Sequence, residues 1–144
     1  MGMESIMNMP TKVLTAGVLL FGWGIGAAQA GDPTGVWMRS SGSSKIRIDK
    51  CGSALCGTVV WERSPRKDVN NPDPARRDDA ITGKRVLLGM KPAGDDKWKG
   101  EVYNAEDGKT YTGYVTLVAA DELKLQGCVL GGLICKSDTW SRSK

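Results

Sequence analysis

The side chains that could do chemistry in this chain are carboxylates, arginines and tyrosines, because it contains no histidine. That absence removes the commonest general base and the commonest zinc ligand. It also excludes nucleophile systems built on Ser–His or Cys–His pairs. A carboxylate-dependent hydrolase would have to draw on Glu62, Glu101, Glu106 and Asp107. Glycoside hydrolysis sets two carboxyls about 5 to 9.5 Å apart across one bond, and the spacing of these four compels no pair to converge. Glu106 and Asp107 are better explained by a hairpin turn. The residues argue against an enzyme and imply neither a metal nor a cofactor.

Binding chemistry is concentrated in "NNPDPARRDD", residues 70–79. As a purely structural loop it accounts for itself. Asp68, Asn71 and Asp73 cap turns through their side-chain oxygens, and Pro72 and Pro74 stiffen the backbone. Arg76 and Arg77 pair locally with Asp78 and Asp79. As a site, the loop covers one mouth of a barrel. An arginine of the loop then presents its planar fork of donors to a carboxylate or phosphate head group, with Asp68 holding it and Asn71 beside it. A calcium site is disfavoured, since the spacing is not that of an EF-hand and adjacent arginines oppose a cation. Tyr103 and Tyr111 flank the "NAEDGK" turn and are expected to face each other, as a cross-strand pair or as contacts at the mouth. Trp61, Tyr111, Val115 and Leu125 are the candidate wall residues.

The four cysteines form two close pairs, Cys51 with Cys56 and Cys128 with Cys135. Neither pair has the spacing of a redox or zinc motif, and in an exported chain an even count reads as disulfides. Each pair brackets a short glycine-containing stretch, so adjacent pairing is favoured over the two cross-pairings.

Export itself is read from residues 1–30. Lys12 precedes the apolar stretch "VLTAGVLLFGWGIGAA", and Ala28-Gln29-Ala30 is a small-x-small cleavage site. The stretch is short for a membrane span, which needs about 20 residues, so no stable anchor is expected after cleavage. The expectation is a periplasmic or secreted domain of residues 31–144. Its net charge of +4 arises from interspersed charges of both signs, which speaks against nucleic acid as a partner.

The elements that must position these residues are strands. "GVWMRS", "SKIRID", "LCGTVVW", "KRVLLGM", "KWKGEVYN", "TYTGYVTLV", "ELKLQGC" and "LICKSDTWSR" alternate apolar and polar residues. Asp107-Gly108 is a hairpin signal. About eight short strands and no amphipathic helix predict an all-β chain, a single small antiparallel barrel wound as a meander. Gly100, Gly113 and Gly127 lie inside strands, where glycine often marks a bend or bulge. In such a barrel the first and last strands are neighbours, so Arg142 is placed to lie over the indole of Trp37. That contact is worth about 0.5 to 2 kcal/mol, and the arrangement resembles the closure of a lipocalin.

The pieces "GVW", "IRIDKCGSALCGTVVW", "DVNNPDPARRDDAITG", "WKGEVYNAEDGKTY", "LKLQGC" and "TWSR" in this order resemble a bacterial family, the domain of unknown function 2147. The resemblance implies a small exported protein with a lipocalin-like barrel and no established reaction. It departs from the family at Ala105, where proline is frequent after the asparagine. The function expected is binding of a small apolar or amphipathic molecule, with Arg77 as polar anchor. The alternative is an inhibitor-like module with a ligand-free core that grips an envelope protein or polymer.

Overall fold

The structure is a computed structural model that describes residues 31–144, with Gly17 alone before them. The expected export segment therefore lies outside the described residues, Gly17 apart. Every predicted strand forms. They are β1 (Gly35–Met38), β2 (Ser44–Cys51), β3 (Ala54–Glu62), β4 (Arg85–Gly94), β5 (Lys97–Asn104), β6 (Lys109–Ala119), β7 (Glu122–Val129) and β8 (Ile134–Arg142). Each pairs antiparallel with the next, and β8 returns to β1, giving a closed eight-stranded meander barrel. Among the described residues there is no α-helix, only 3-10 turns at Pro74–Arg76 and Leu130–Gly132.

Period-two alternation decides the core. Ile46 and Ile48 point inward from β2, Val115 and Leu117 from β6, Leu123 from β7 and Trp140 from β8. With Trp37, Met90 and Trp98 they fill the barrel towards one end. That end is sealed at β1. Trp37 is fully buried and pairs with Arg142 across the closing seam. The Arg142 guanidinium lies 4.3 Å from the Trp37 ring centroid. The guanidinium also donates to the carbonyls of Ala120, Thr34 and Asp32 at 2.8, 2.8 and 3.0 Å. The glycine of this G-x-W is required twice over. Gly35 has φ of 125°, and a side chain there would meet the Arg142 guanidinium.

The expectation that Gly100, Gly113 and Gly127 mark bends or bulges holds in part. Gly113 pairs directly with Gly100 and with Gly127 and sits at no register shift, whereas Gly100 lies opposite the β4 bulge at Gly89 and Met90. A Cβ at Gly100 would strike the Leu88 carbonyl and one at Gly113 would strike Val102, so the glycines allow close approach. Another bulge matters for the site. Lys45 pairs with Trp61, but the next residue, Ile46, pairs with Val59. The extra residue, Val60, reverses the inside–outside parity of the last turns of β3.

Both disulfides join the adjacent pairs, Cys51–Cys56 and Cys128–Cys135. They belong to an oxidising, extracytoplasmic environment. No described helix is long and apolar enough to cross a membrane.

Candidate functional site

At the end away from Trp37 the barrel stays open. Here lie the β1–β2 turn, the long 63–84 connection, the β5–β6 turn and the β7–β8 tip. A cavity of about 600 Å³ enters from this mouth. Its deeper wall is apolar, with Ile46, Val59, Leu87, Val102, Leu125 and Trp140. Its upper wall carries charge, with Arg39, Glu62, Arg66, Asp107, Lys136 and Asp138.

Most of that charge is already paired. Arg39 Nε lies 3.3 Å from Asp138, which also accepts from the Trp140 indole at 2.8 Å and from the Ser40 hydroxyl. Burial pushes the Asp138 carboxyl up, but these donors outweigh it and hold the pKa below the usual aspartate value. Glu62 is buried and bonds Arg66 at 3.2 Å and the Thr82 hydroxyl at 3.0 Å. Asp107 accepts from the Tyr111 hydroxyl, which lowers its pKa and raises that of the tyrosine. A general acid needs a raised carboxyl pKa, and the shifts at Asp107 and Asp138 run the other way. Lys136 makes no ion pair among the described residues.

The loop quoted above is fastened from beneath and does not line the cavity. Asp68 is completely buried. It accepts from Tyr103 at 2.7 Å and from Asn71 at 2.7 Å, and pairs with Lys84 at 2.9 Å. Burial pushes its pKa up, but the bonds from Asn71, Lys84 and Tyr103 win, and the carboxyl stays below its ordinary value. Burial, then the bond to Asp68, push Tyr103 up to about 12. Asp73 caps the 3-10 turn by accepting from Ala75 N at 3.0 Å. Asn70 reaches over to the carbonyl of Glu106 at 2.9 Å, so the loop is tied to the β5–β6 turn. Ile81 and Arg66, at the two ends of the connection, line the cavity.

Several expected positions need correction. Arg77 does not line the cavity: it is exposed, and its Nε donates to the Asn71 carbonyl at 2.9 Å. Asp68 does not hold Arg77, because Lys84 takes its place as the cationic partner. Arg76 pairs with Asp73 at 3.8 Å, whereas Asp78 and Asp79 turn to Lys67 and Lys84 at 3.6 and 3.9 Å. Tyr103 and Tyr111 do not face each other, since Tyr103 pairs with Thr110 and Tyr111 with Val102. Of the residues named as candidates, Tyr103, Tyr111 and Leu125 line the cavity, and Arg77, Asp68, Asn71, Trp61 and Val115 do not. Val115 belongs to the packed core beneath it. Trp61 faces outward with Lys45 Nζ 5.4 Å from its ring centroid, and Glu62 takes the inward position. The Val60 bulge is the cause.

Sequence reasoning passed over Arg39, Arg66, Lys136 and Asp138. One signal was available. In β8 the residues Ile134, Lys136, Asp138 and Trp140 fall on one face, and all four line the cavity. A charged pair in register with a tryptophan marks a mouth that grades from polar to apolar.

A solved structure from Helicobacter pylori, the protein HP1028, described as belonging to the lipocalin family, superposes with a TM-score of 0.71. The two are 22% identical over 79% of this chain and 84% of that one, a likeness that concerns the fold. No curated protein matches the chain. The family model described as "Uncharacterized protein conserved in bacteria (DUF2147)" matches residues 35–142. That match spans most of the chain, and the chain belongs to the DUF2147 family.

Proposed function

We propose that the protein is an extracytoplasmic carrier or sensor, periplasmic or secreted, that holds one small amphipathic molecule in the barrel. The observation that carries this reading is the cavity of about 600 Å³, apolar at depth and charged at its mouth. Small-molecule sites are typically about 300 to 1,000 Å³, mostly apolar, with a few polar groups that orient the ligand. The apolar part lies against Val102, Leu125 and Trp140. The polar end lies among Arg39, Tyr111 and Lys136, of which Lys136 makes no ion pair among the described residues. A packed interior would favour the ligand-free interaction module, whereas an open lumen favours ligand binding.

The test combines native mass spectrometry of the purified protein with titration of a fluorescent amphipathic probe, anilinonaphthalene sulfonate. Wild type is expected to carry an extra mass lost on denaturation, or to bind the probe with displacement by a long-chain carboxylate. Leu125→Trp, which fills the cavity, is expected to abolish binding while retaining the wild-type circular dichroism. A protein that carries nothing and takes up no probe sinks the reading.

A further inference from the structure

The β7–β8 tip is the most apolar exposed feature of the described residues. Leu133 and Leu130 are 85% and 67% exposed, Ile134 56% and Val129 39%. An apolar cluster on a hairpin tip ordinarily folds back onto its barrel. Here two features hold it out. The Cys128–Cys135 disulfide clamps the base of the tip with the Cα atoms 4.1 Å apart. Leu130, Gly131 and Gly132 then follow one another at positive φ, 54°, 66° and 95°. For a leucine that conformation is uncommon.

The charge around the tip is one-sided. From Cys128 to Ser137, the tip and its base, the chain contains no acidic residue and one cation, Lys136. The neighbouring β1–β2 turn and the start of β2, residues 39–47, contain no acid and add Lys45 and Arg47, Arg39 being taken up by Asp138. The acid next in line, Asp138, is neutralised by Arg39 at 3.3 Å. The rim acids Glu106 and Asp107 belong to the β5–β6 turn across the same mouth, where Asp107 is bonded to the Tyr111 hydroxyl. Val129 and Ile134, at the foot of the tip, line the cavity mouth, so the exposed apolar surface is continuous with the interior.

We propose that the β7–β8 tip inserts its aliphatic side chains into the interface of an anionic phospholipid bilayer, with Lys136 and the β1–β2 cations on the head groups, so that the cavity opens towards the lipid. Aliphatic side chains beside cations on one face are the recipe for binding in the plane of a membrane surface. A protein partner fits the tip less well. Four aliphatic side chains supply little of the roughly 800 Å² per partner that a stable interface buries, and they lack the Trp, Tyr and Arg anchors that dominate such interfaces. The proposal extends the carrier reading but stands on the tip alone.

The test is co-sedimentation of the disulfide-intact protein with vesicles of phosphatidylcholine, alone or mixed equally with phosphatidylglycerol. Wild type and variants are compared in the same processed form, read from the intact mass. Wild type is expected to partition onto the anionic vesicles more than onto the neutral ones. The pair Leu130→Asp and Leu133→Asp is expected to lower partition about tenfold or more while probe binding in the cavity and circular dichroism stay unchanged. Lys136→Glu is expected to lower partition on the anionic vesicles only. Leu125→Trp is expected to keep wild-type vesicle binding, which separates a failure of the cavity reading from a failure of this one. The proposal is overturned by wild type that ignores anionic vesicles, or by the double aspartate variant binding them as wild type does. Concentration-dependent self-association lost in that variant, without vesicle binding, overturns it in favour of a second copy of the chain.

Discussion

Asp68 shows how one side chain can govern a whole connection. It sits fully buried with Lys84, Asn71 and Tyr103 around it. Removing one charge of a buried pair leaves the other uncompensated, which costs about 3 to 5 kcal/mol. Asp68→Asn is therefore expected to lower stability at neutral pH by about 3 kcal/mol, read as a lower urea midpoint. The pH dependence follows from the sign of the shift. The folded pKa lies below the ordinary 3.8, so the pairing contributes in full above that value. The contribution is lost as pH falls through the folded pKa. The gap in urea midpoint between wild type and Asp68→Asn should thus close on acidification below about pH 4. A gap that is unchanged at low pH would show that Asp68 is not held ionised by these partners.

Among the elements, the 63–84 connection depends on the turn it rests upon. Asn70 donates to Glu106, and Gly108 in that turn has φ of 70° with the Asn70 carbonyl directly above its Cα. A Cβ at position 108 would overlap that carbonyl and would also strain the backbone. Gly108→Ala is expected to cost about 2 kcal/mol and to lift the connection off the β5–β6 turn. Limited trypsin digestion checks this, because Arg76 and Arg77 stand exposed in the connection. Faster cleavage there, with the barrel fragments still paired by circular dichroism, is the expected result. Cleavage at the wild-type rate would mean that the connection is held by Asp68 alone.

For the whole molecule, closure rests on one arginine. Arg142 stacks on Trp37 and satisfies three carbonyls from two separate stretches of chain. β1 contributes only four residues, and the seam pairs just Trp37 with Arg142 and Met38 with Ser141. Such a short seam cannot hold by its ladder alone. Arg142→Ala is expected to cost about 3 kcal/mol, from the lost cation–π contact and charge-assisted hydrogen bonds. Hydrogen exchange should then show β1 and β8 opening before the other strands. Uniform opening across all eight strands would assign closure to the core instead of the seam.

Strand number, strand order, the seam and the cysteine partners were legible in the sequence, because each depends on local rules. Alternation marks strands, Asp-Gly marks a hairpin, short spacing marks a staple, and a meander brings its ends together. The cavity was legible only in part. Tyr111 and Leu125 keep the parity of their strands and point where alternation places them. Trp61 does not, because one extra residue at Val60 turns it outward and sends Glu62 inward. Nothing local announces that bulge. The partners of Asp68 were also hidden: Lys84 and Tyr103 lie 16 and 35 residues away along the chain, and only the closed barrel brings them to one buried carboxylate. Arg77 looked like an anchor by its chemistry and its match to the family pattern, yet the fold leaves it exposed and bonded to the Asn71 carbonyl. Sequence determined that the chain forms a barrel, because period-two patterning acts residue by residue. Tertiary structure decided that the barrel has an open mouth and which charges line it, because register, bulges and long-range pairing decide which face each side chain takes.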